Sequence, residues 1–140
     1  MESDIVILGA GAAGIMCAIE AGKRNRKVIL LDHSRKMGEK IRISGGGRCN
    51  FTNRNVSASN FISQNPHFCI SALKRYTPQD FIQMIYQYDI RWHEKTLGQL
   101  FCDNSYKDIL NMLSAEFKKA NVKLFLDRKI TEVKIKNSKF

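Results

Sequence analysis

The sequence predicts an α/β protein built on a parallel sheet, from three observations. Two short apolar runs, DIVIL at residues 4–8 and KVILLD at 27–32, flank an alanine-rich stretch, and a glycine-rich turn joins the first run to that stretch. Short continuous apolar runs bounded by glycine fit parallel strands covered on both faces. Strand, turn, helix and strand within about thirty residues make a βαβ unit, whose crossover is expected to be right-handed.

The elements follow in order. GAGAAG (9–14) breaks the first strand, and IMCAIEAGKRN (15–25) reads as a helix with Gly22 near its end. Cys17 inside it is expected to be a small buried apolar residue. Residues 33–66 show no period and are rich in Gly, Ser, Asn and Arg. An aperiodic stretch of that length with clustered glycines and cations points to function. TPQDFIQMIYQYD (77–89) opens with Thr77 as cap, Pro78 in the first turn and Asp80 at the positive helix end. Phe81, Ile82, Ile85 and Tyr86 then share one face. RWHE (91–94) and GQLFC (98–102) read as short strands joined by a turn, and residues 104–121 as a second amphipathic helix. VKLFLD (122–127) and KITEVKIK (129–136) read as strands.

Composition narrows the function classes. No apolar run approaches the roughly 20 residues of a membrane span, and the acids Glu2 and Asp4 stand where a signal peptide would be basic. A cytoplasmic protein is therefore expected. Cys17, Cys49, Cys69 and Cys102 form no C-x-x-C pair, which argues against zinc and for free thiols. The net charge is +10. Residues 23–54 alone hold ten Lys or Arg against Asp32 and Glu39, a net +8. A local basic field of that kind suits a phosphate-bearing ligand such as a nucleotide or nucleic acid.

Gly9, Gly11 and Gly14 spell G-x-G-x-x-G after a strand and at the mouth of a helix. In the dinucleotide-binding, Rossmann-like arrangement the first glycine permits the turn, the second lets a pyrophosphate approach and the third lets helix and strand pack closely. Helix N-terminal amides supply the anion site. Asp32, 23 residues past Gly9, ends the second strand where a carboxylate holds ribose hydroxyls. A carboxylate there disfavours a 2′-phosphate, which leaves NAD and FAD open.

A second motif goes further. GEKIRISGGGRCNFTN (38–53), combined with GAGAAG, resembles the HI0933-like family of bacterial flavoproteins, also called NAD(P)/FAD-dependent or aminoacetone-oxidase-like oxidoreductases. GQLFCDNSYKDILNML (98–113) is similar to a further family segment, departing at Cys102, where the family usually has proline. The resemblance implies a Rossmann-like FAD-binding domain and FAD bound in an extended form. By position, Gly9, Gly11, Ala12, Ala13 and Gly14 would cradle the pyrophosphate, and Asp32 the adenosine ribose. Lys40, Ser44, Gly45, Gly46, Gly47, Arg48, Cys49 and Asn50 would run along the ribityl chain towards the isoalloxazine, with Lys40 and Arg48 stabilising the reduced flavin. Ile130, opening the late strand, would offer backbone groups to adenine. Cys49 is expected to line the site rather than react. His33, His67 and His93 are expected on loops or the surface, and Tyr88 and Trp92 in packing.

The resemblance also implies that residues 1–140 are the N-terminal part of the FAD domain. The fold would then be incomplete at its C-terminus, lacking an inserted substrate domain and a late segment that closes the flavin site. On that reading the 140-residue chain alone binds FAD poorly and has little activity. The activity implied is flavin-dependent oxidoreduction, with NADH or NADPH as electron donor and an unidentified substrate. Reduction of a nucleobase double bond in ribosomal RNA is one role within the family, and the basic cluster agrees with it. The alternatives are a non-catalytic nucleotide-binding remnant and a basic nucleic-acid-binding module.

Overall fold

The computed structural model describes residues 2–134. In chain order the elements are β1 (Ile5–Leu8), α1 (Ala12–Lys23), β2 (Val28–Leu31), α2 (Glu39–Ile43), β3 (Asn50–Asn53), α3 (Ile70–Arg75), α4 (Pro78–Gln87), β4 (Trp92–Glu94), β5 (Gln99–Cys102), α5 (Tyr106–Lys119) and β6 (Lys123–Phe125). They fall into two compact units, residues 2–40 with 113–134, and Ile41–Met112.

The discontinuous unit carries the parallel sheet, in the order β1-β2-β6. Ile5 to Leu8 pair in register with Val28 to Leu31, and Ile29 to Leu31 with Lys123 to Phe125. The βαβ unit is thus present with its glycine turn at the C-terminal end of β1. Ile15, Ala18 and Ile19 on one face of α1 are fully buried, as is Leu30 of β2. The isoleucines and Leu30 each contribute roughly 1.5–3 kcal/mol when fully removed from water. Two expectations are corrected here. β1 is covered on one face only: Val6 and Leu8 are 53% and 54% exposed and alternate with the half-buried Ile5 and Ile7, as side chains on opposite faces of a strand do. Cys17 is exposed, because it points away from the face that Ile15, Ala18 and Ile19 define.

The continuous unit holds an antiparallel sheet in the order β3-β5-β4, with a register shift between Asn50 and Thr52. The two expected strands appear as β4 and β5. Trp92 packs edge-on against Phe51 and Tyr86. In α4 the cap works as its sequence suggests: Asp80 N donates to Thr77 Oγ1 at 3.3 Å, and Thr77 N donates back to Asp80 Oδ2 at 2.6 Å. Ile82, Ile85, Leu100 and Cys102 are buried. The aperiodic stretch 33–66 proves to contain α2 and β3, and α3 follows it. These elements have four to six residues, too few to leave a period in sequence. The late strand expected at 129–136 is absent over 129–134, and residues 135–136 lie outside the described residues. Among the described residues no helix is long and apolar enough to cross a membrane.

Candidate functional site

The fingerprint turn lies wholly within the parallel-sheet unit. Gly9 leaves β1 at φ +104°, and Gly11 caps α1 in an extended conformation, φ −81° and ψ −178°. The first intrahelical bond runs from Ile15 N to Gly11 O at 3.0 Å. The amides of Ala12, Ala13 and Gly14 therefore have no intrahelical acceptor, as at any helix start, and form a positive end. A methyl group at Gly14 would overlap the Gly9 carbonyl oxygen, so this glycine sets the closeness of helix to turn. Methyls at Gly9 or Gly11 would meet nothing within 4 Å.

Asp32 is tied into the same turn. Its carboxylate accepts from Ala10 N at 2.5 Å and from Ser34 N at 2.7 Å. Burial alone would raise this carboxyl, but the Ser34 and Ala10 amides, together with the Ser34 hydroxyl and His33, outweigh it and hold it below the usual carboxylate range. A carboxylate has about four lone-pair sites, so the two amides and the Ser34 hydroxyl leave capacity for a further hydroxyl donor. Arg128 N donates to Asp32 O at 2.9 Å and Asp127 N to Ser34 O at 3.0 Å. The backbone two residues before Ile130 thus runs beside Asp32. Ile130 itself is 40% exposed and belongs to no strand, a correction to its expected setting.

Lys40 projects from α2 with an exposed side chain. In the other unit, Ser44–Gly47 winds a left-handed turn: Gly45, Gly46 and Gly47 have φ of 59°, 64° and 86°. Consecutive left-handed residues are costly for anything but glycine. The turn closes on itself, with Cys49 N donating to Ser44 O and Asn50 N to Ser44 Oγ, both at 3.0 Å. A methyl at Gly45 would lie 2.6 Å from Phe101 Cε1 and 2.9 Å from Asn50 N, whereas methyls at Gly46 and Gly47 meet nothing within 4 Å. Arg48 and Asn50 are exposed and Cys49 is buried.

The thiols of Cys49 and Cys102 are not poised for attack. Burial pushes Cys49 up, partly offset by its hydrogen bond with Ser44. Burial also pushes Cys102 up to about 12, with Cys49, Asp108 and Asp103 adding to it. A protonated buried thiol is a packing group rather than a nucleophile. All four cysteines are free, and among the described residues no His, Cys, Asp or Glu cluster could hold a metal.

One pair escaped sequence reasoning. His93 Nδ1 lies 2.7 Å from Asp103 Oδ1, and its ring stacks on Phe101 with centroids 6.2 Å apart. Lys95 Nζ stands 4.2 Å from the same phenyl centroid. The strand register that pairs His93 with Phe101 creates this arrangement, and no sequence spacing announces it.

Comparison with known proteins agrees with this architecture. Residues 3–140 match the HI0933-like protein Rossmann domain. The chain is 52% identical over 130 residues to the Escherichia coli ribosomal RNA dihydrouridine synthase, covering 93% of this chain and 32% of that protein. It is 47% identical over 131 residues to the Haemophilus influenzae protein of the same name, covering 94% and 33%. The chain thus spans about a third of the length of these curated relatives. Among solved structures, L-proline dehydrogenase from P. horikoshii superimposes with a TM-score of 0.65 at 12% identity, over 97% of this chain and 47% of that one. That likeness is one of fold. With its fingerprint turn on a parallel sheet and its match over residues 3–140, the chain belongs to the HI0933-like flavoprotein family.

Proposed function

We propose that this chain is the N-terminal, FAD-binding part of a flavin-dependent oxidoreductase that reduces a nucleobase double bond in ribosomal RNA. The observation that carries the cofactor reading is the fingerprint turn. Gly11 has an ordinary extended backbone and faces open space, so neither handedness nor internal packing asks for a missing side chain there. The residues present fit the cofactor. The free amides of Ala12, Ala13 and Gly14 suit a diphosphate, the Asp32 carboxylate has acceptor capacity for ribose hydroxyls, and open space faces Gly9 and Gly11. The RNA reading is supported by the names of two relatives at 52% and 47% identity.

A bound flavin would supply reversible hydride transfer, with NADH or NADPH as the source of electrons. On this reading the chain's own residues bind, orient and tune. Gly9, Gly11, Ala12, Ala13 and Gly14 hold the diphosphate and Asp32 the adenosine ribose, with backbone near Ile130 facing adenine. Ser44, Gly45, Gly46, Gly47, Cys49 and Asn50 line the flavin end, and the cations of Lys40 and Arg48 favour its anionic reduced form. A ribosomal RNA substrate implies work in the cytoplasm.

Two measurements test this. Added FAD should raise the thermal midpoint of the chain with a saturable concentration dependence; an unchanged midpoint would favour the non-catalytic remnant. Deleting the gene should remove an alkali-labile dihydrouridine stop from reverse transcripts of ribosomal RNA, and an unchanged stop pattern would sink the substrate assignment.

A further inference from the structure

The two helix-to-strand joints of the parallel sheet repeat one pattern, K-x-N-x-K. It reads Lys23-Arg24-Asn25-Arg26-Lys27 after α1 and Lys119-Ala120-Asn121-Val122-Lys123 at the end of α5. Both asparagines are left-handed, at φ 58° and 52°. Both close their helix, with Asn25 N donating to Gly22 O at 2.9 Å and Asn121 N to Lys118 O at 3.0 Å. The first lysine of each joint, Lys23 and Lys119, lies 3.0 Å from the same carboxylate, Glu116, which is 7% exposed. Helix-end chemistry accounts for this half of the pattern, since a cation and a left-handed Asn both suit a helix C-terminus.

It does not account for the other half. Arg26, Lys27 and Lys123 are exposed and have no ion-pair partner among the described residues. Together with Lys119, they line a cavity of about 420 Å³ at the N-terminal ends of the strands. This is the sheet edge opposite the fingerprint turn. Glu2 is the one carboxylate on its wall. Asp4, whose carboxylate accepts from Lys27 N at 2.8 Å, is offset by the second of the two lysines that share Glu116. Two helix C-termini add a partial charge of roughly −0.5 each, which with Glu2 leaves the three unpaired cations in excess by about one charge. The side-chain amides of Asn25 and Asn121 on the wall supply neutral donors. Helix C-termini disfavour a compact, doubly charged terminal phosphate. A concave wall of exposed cations and amides suits instead a chain of singly charged phosphates.

We propose that this cavity grips the phosphodiester backbone of RNA, at the far edge of the sheet from the cofactor turn. The inference rests on the reading of RNA as substrate and adds where its backbone is held. Phosphate contacts of this kind fix register without reading sequence, which leaves base selection to other parts of the protein.

The test is filter binding of a ribosomal RNA transcript over a salt series, using the full chain with FAD. It compares the wild type, the R26Q/K27Q/K123Q variant, and an R35Q/K36Q/R75Q control that removes equal charge outside the cavity. The cavity variant should lower the slope of log affinity against log salt by about 2 to 3, since each released phosphate contact contributes about 0.7–0.9. The control should change it by less than one. Thermal midpoint and FAD titration should match the wild type in both variants. Equal slopes in the cavity variant and the wild type would overturn the cavity while leaving the RNA reading intact. No RNA binding by the wild type would overturn both, and the FAD titration would still report separately on the cofactor. Loss of binding to anionic phospholipid vesicles in place of RNA would assign the cavity to a membrane surface and overturn the proposal.

Discussion

The two glycine turns are built to the same plan with different obstacles and different backbone handedness. Each has one glycine fixed by the protein itself and two that face open space. In the fingerprint turn the fixed one is Gly14, and its obstacle is a backbone carbonyl, that of Gly9. In the Ser44–Asn50 turn the fixed one is Gly45, and its obstacles are the buried Phe101 ring and the backbone nitrogen of Asn50. The open glycines differ too. Gly11 has an ordinary extended backbone, whereas Gly46 and Gly47 are left-handed. A missing side chain therefore means close packing at Gly14, packing and backbone handedness together at Gly45, handedness alone at Gly46 and Gly47, and neither at Gly11, where the proposed cofactor would supply the reason.

Substitutions should separate these meanings. Gly14→Ala should have the largest effect, a loss of about 3 kcal/mol or more in urea unfolding, because neither helix nor carbonyl can yield. Gly45→Ala should cost about 2–3 kcal/mol from overpacking and handedness. Combined with Phe101→Leu it should show a favourable coupling of about 1 kcal/mol in a double-mutant cycle; strict additivity would mean the ring is not the obstacle. Asp32→Asn should cost about 1–2 kcal/mol at neutral pH, since one amide donor would then face another. The Asp32 carboxyl is lower in the folded chain than its usual 3.8. Its contribution is therefore fully present above that value and lost as pH falls through the depressed one. The gap between wild type and D32N should accordingly shrink in acid unfolding curves below about pH 4. Gly46→Ala should cost only about 1 kcal/mol, yet weaken FAD binding by more than that in a fluorescence titration. Gly11→Ala should leave stability within about 0.5 kcal/mol of wild type while still weakening FAD. If G11A bound FAD as the wild type does, the clearance at that turn would serve no ligand.

What was legible in the sequence was what repeats or punctuates. β1, α1 and β2 announced themselves through apolar runs and glycine, and α4 through Thr77, Pro78 and Asp80 at its start. α2, α3 and β3 were not legible because elements of four to six residues complete too little of any period. Exposure was harder still. The exposure of Cys17 could have been read from the spacing of Ile15, Ala18 and Ile19, whose face it misses. That of Val6 and Leu8 depends on what packs over their face of the sheet, and a run of four apolar residues does not tell. Of the candidate site, the glycines, Asp32 and the Ser44–Asn50 stretch stood out as motifs. The grip of Asp32 on Ala10 N and the meeting of His93 with Asp103 depend on turn geometry and strand register, which sequence spacing does not encode.

The parallel sheet is assembled from both ends of the described chain. β2 ends at Leu31, and its outer neighbour β6 begins only at Lys123. A ribosome making this protein therefore releases an apolar βαβ segment whose sheet edge stays bare until the whole intervening unit has been synthesised. Long-range pairing of this kind slows folding and prolongs exposure of sticky strand edges. Chaperone demand during that delay should fall if β6 is encoded directly after β2.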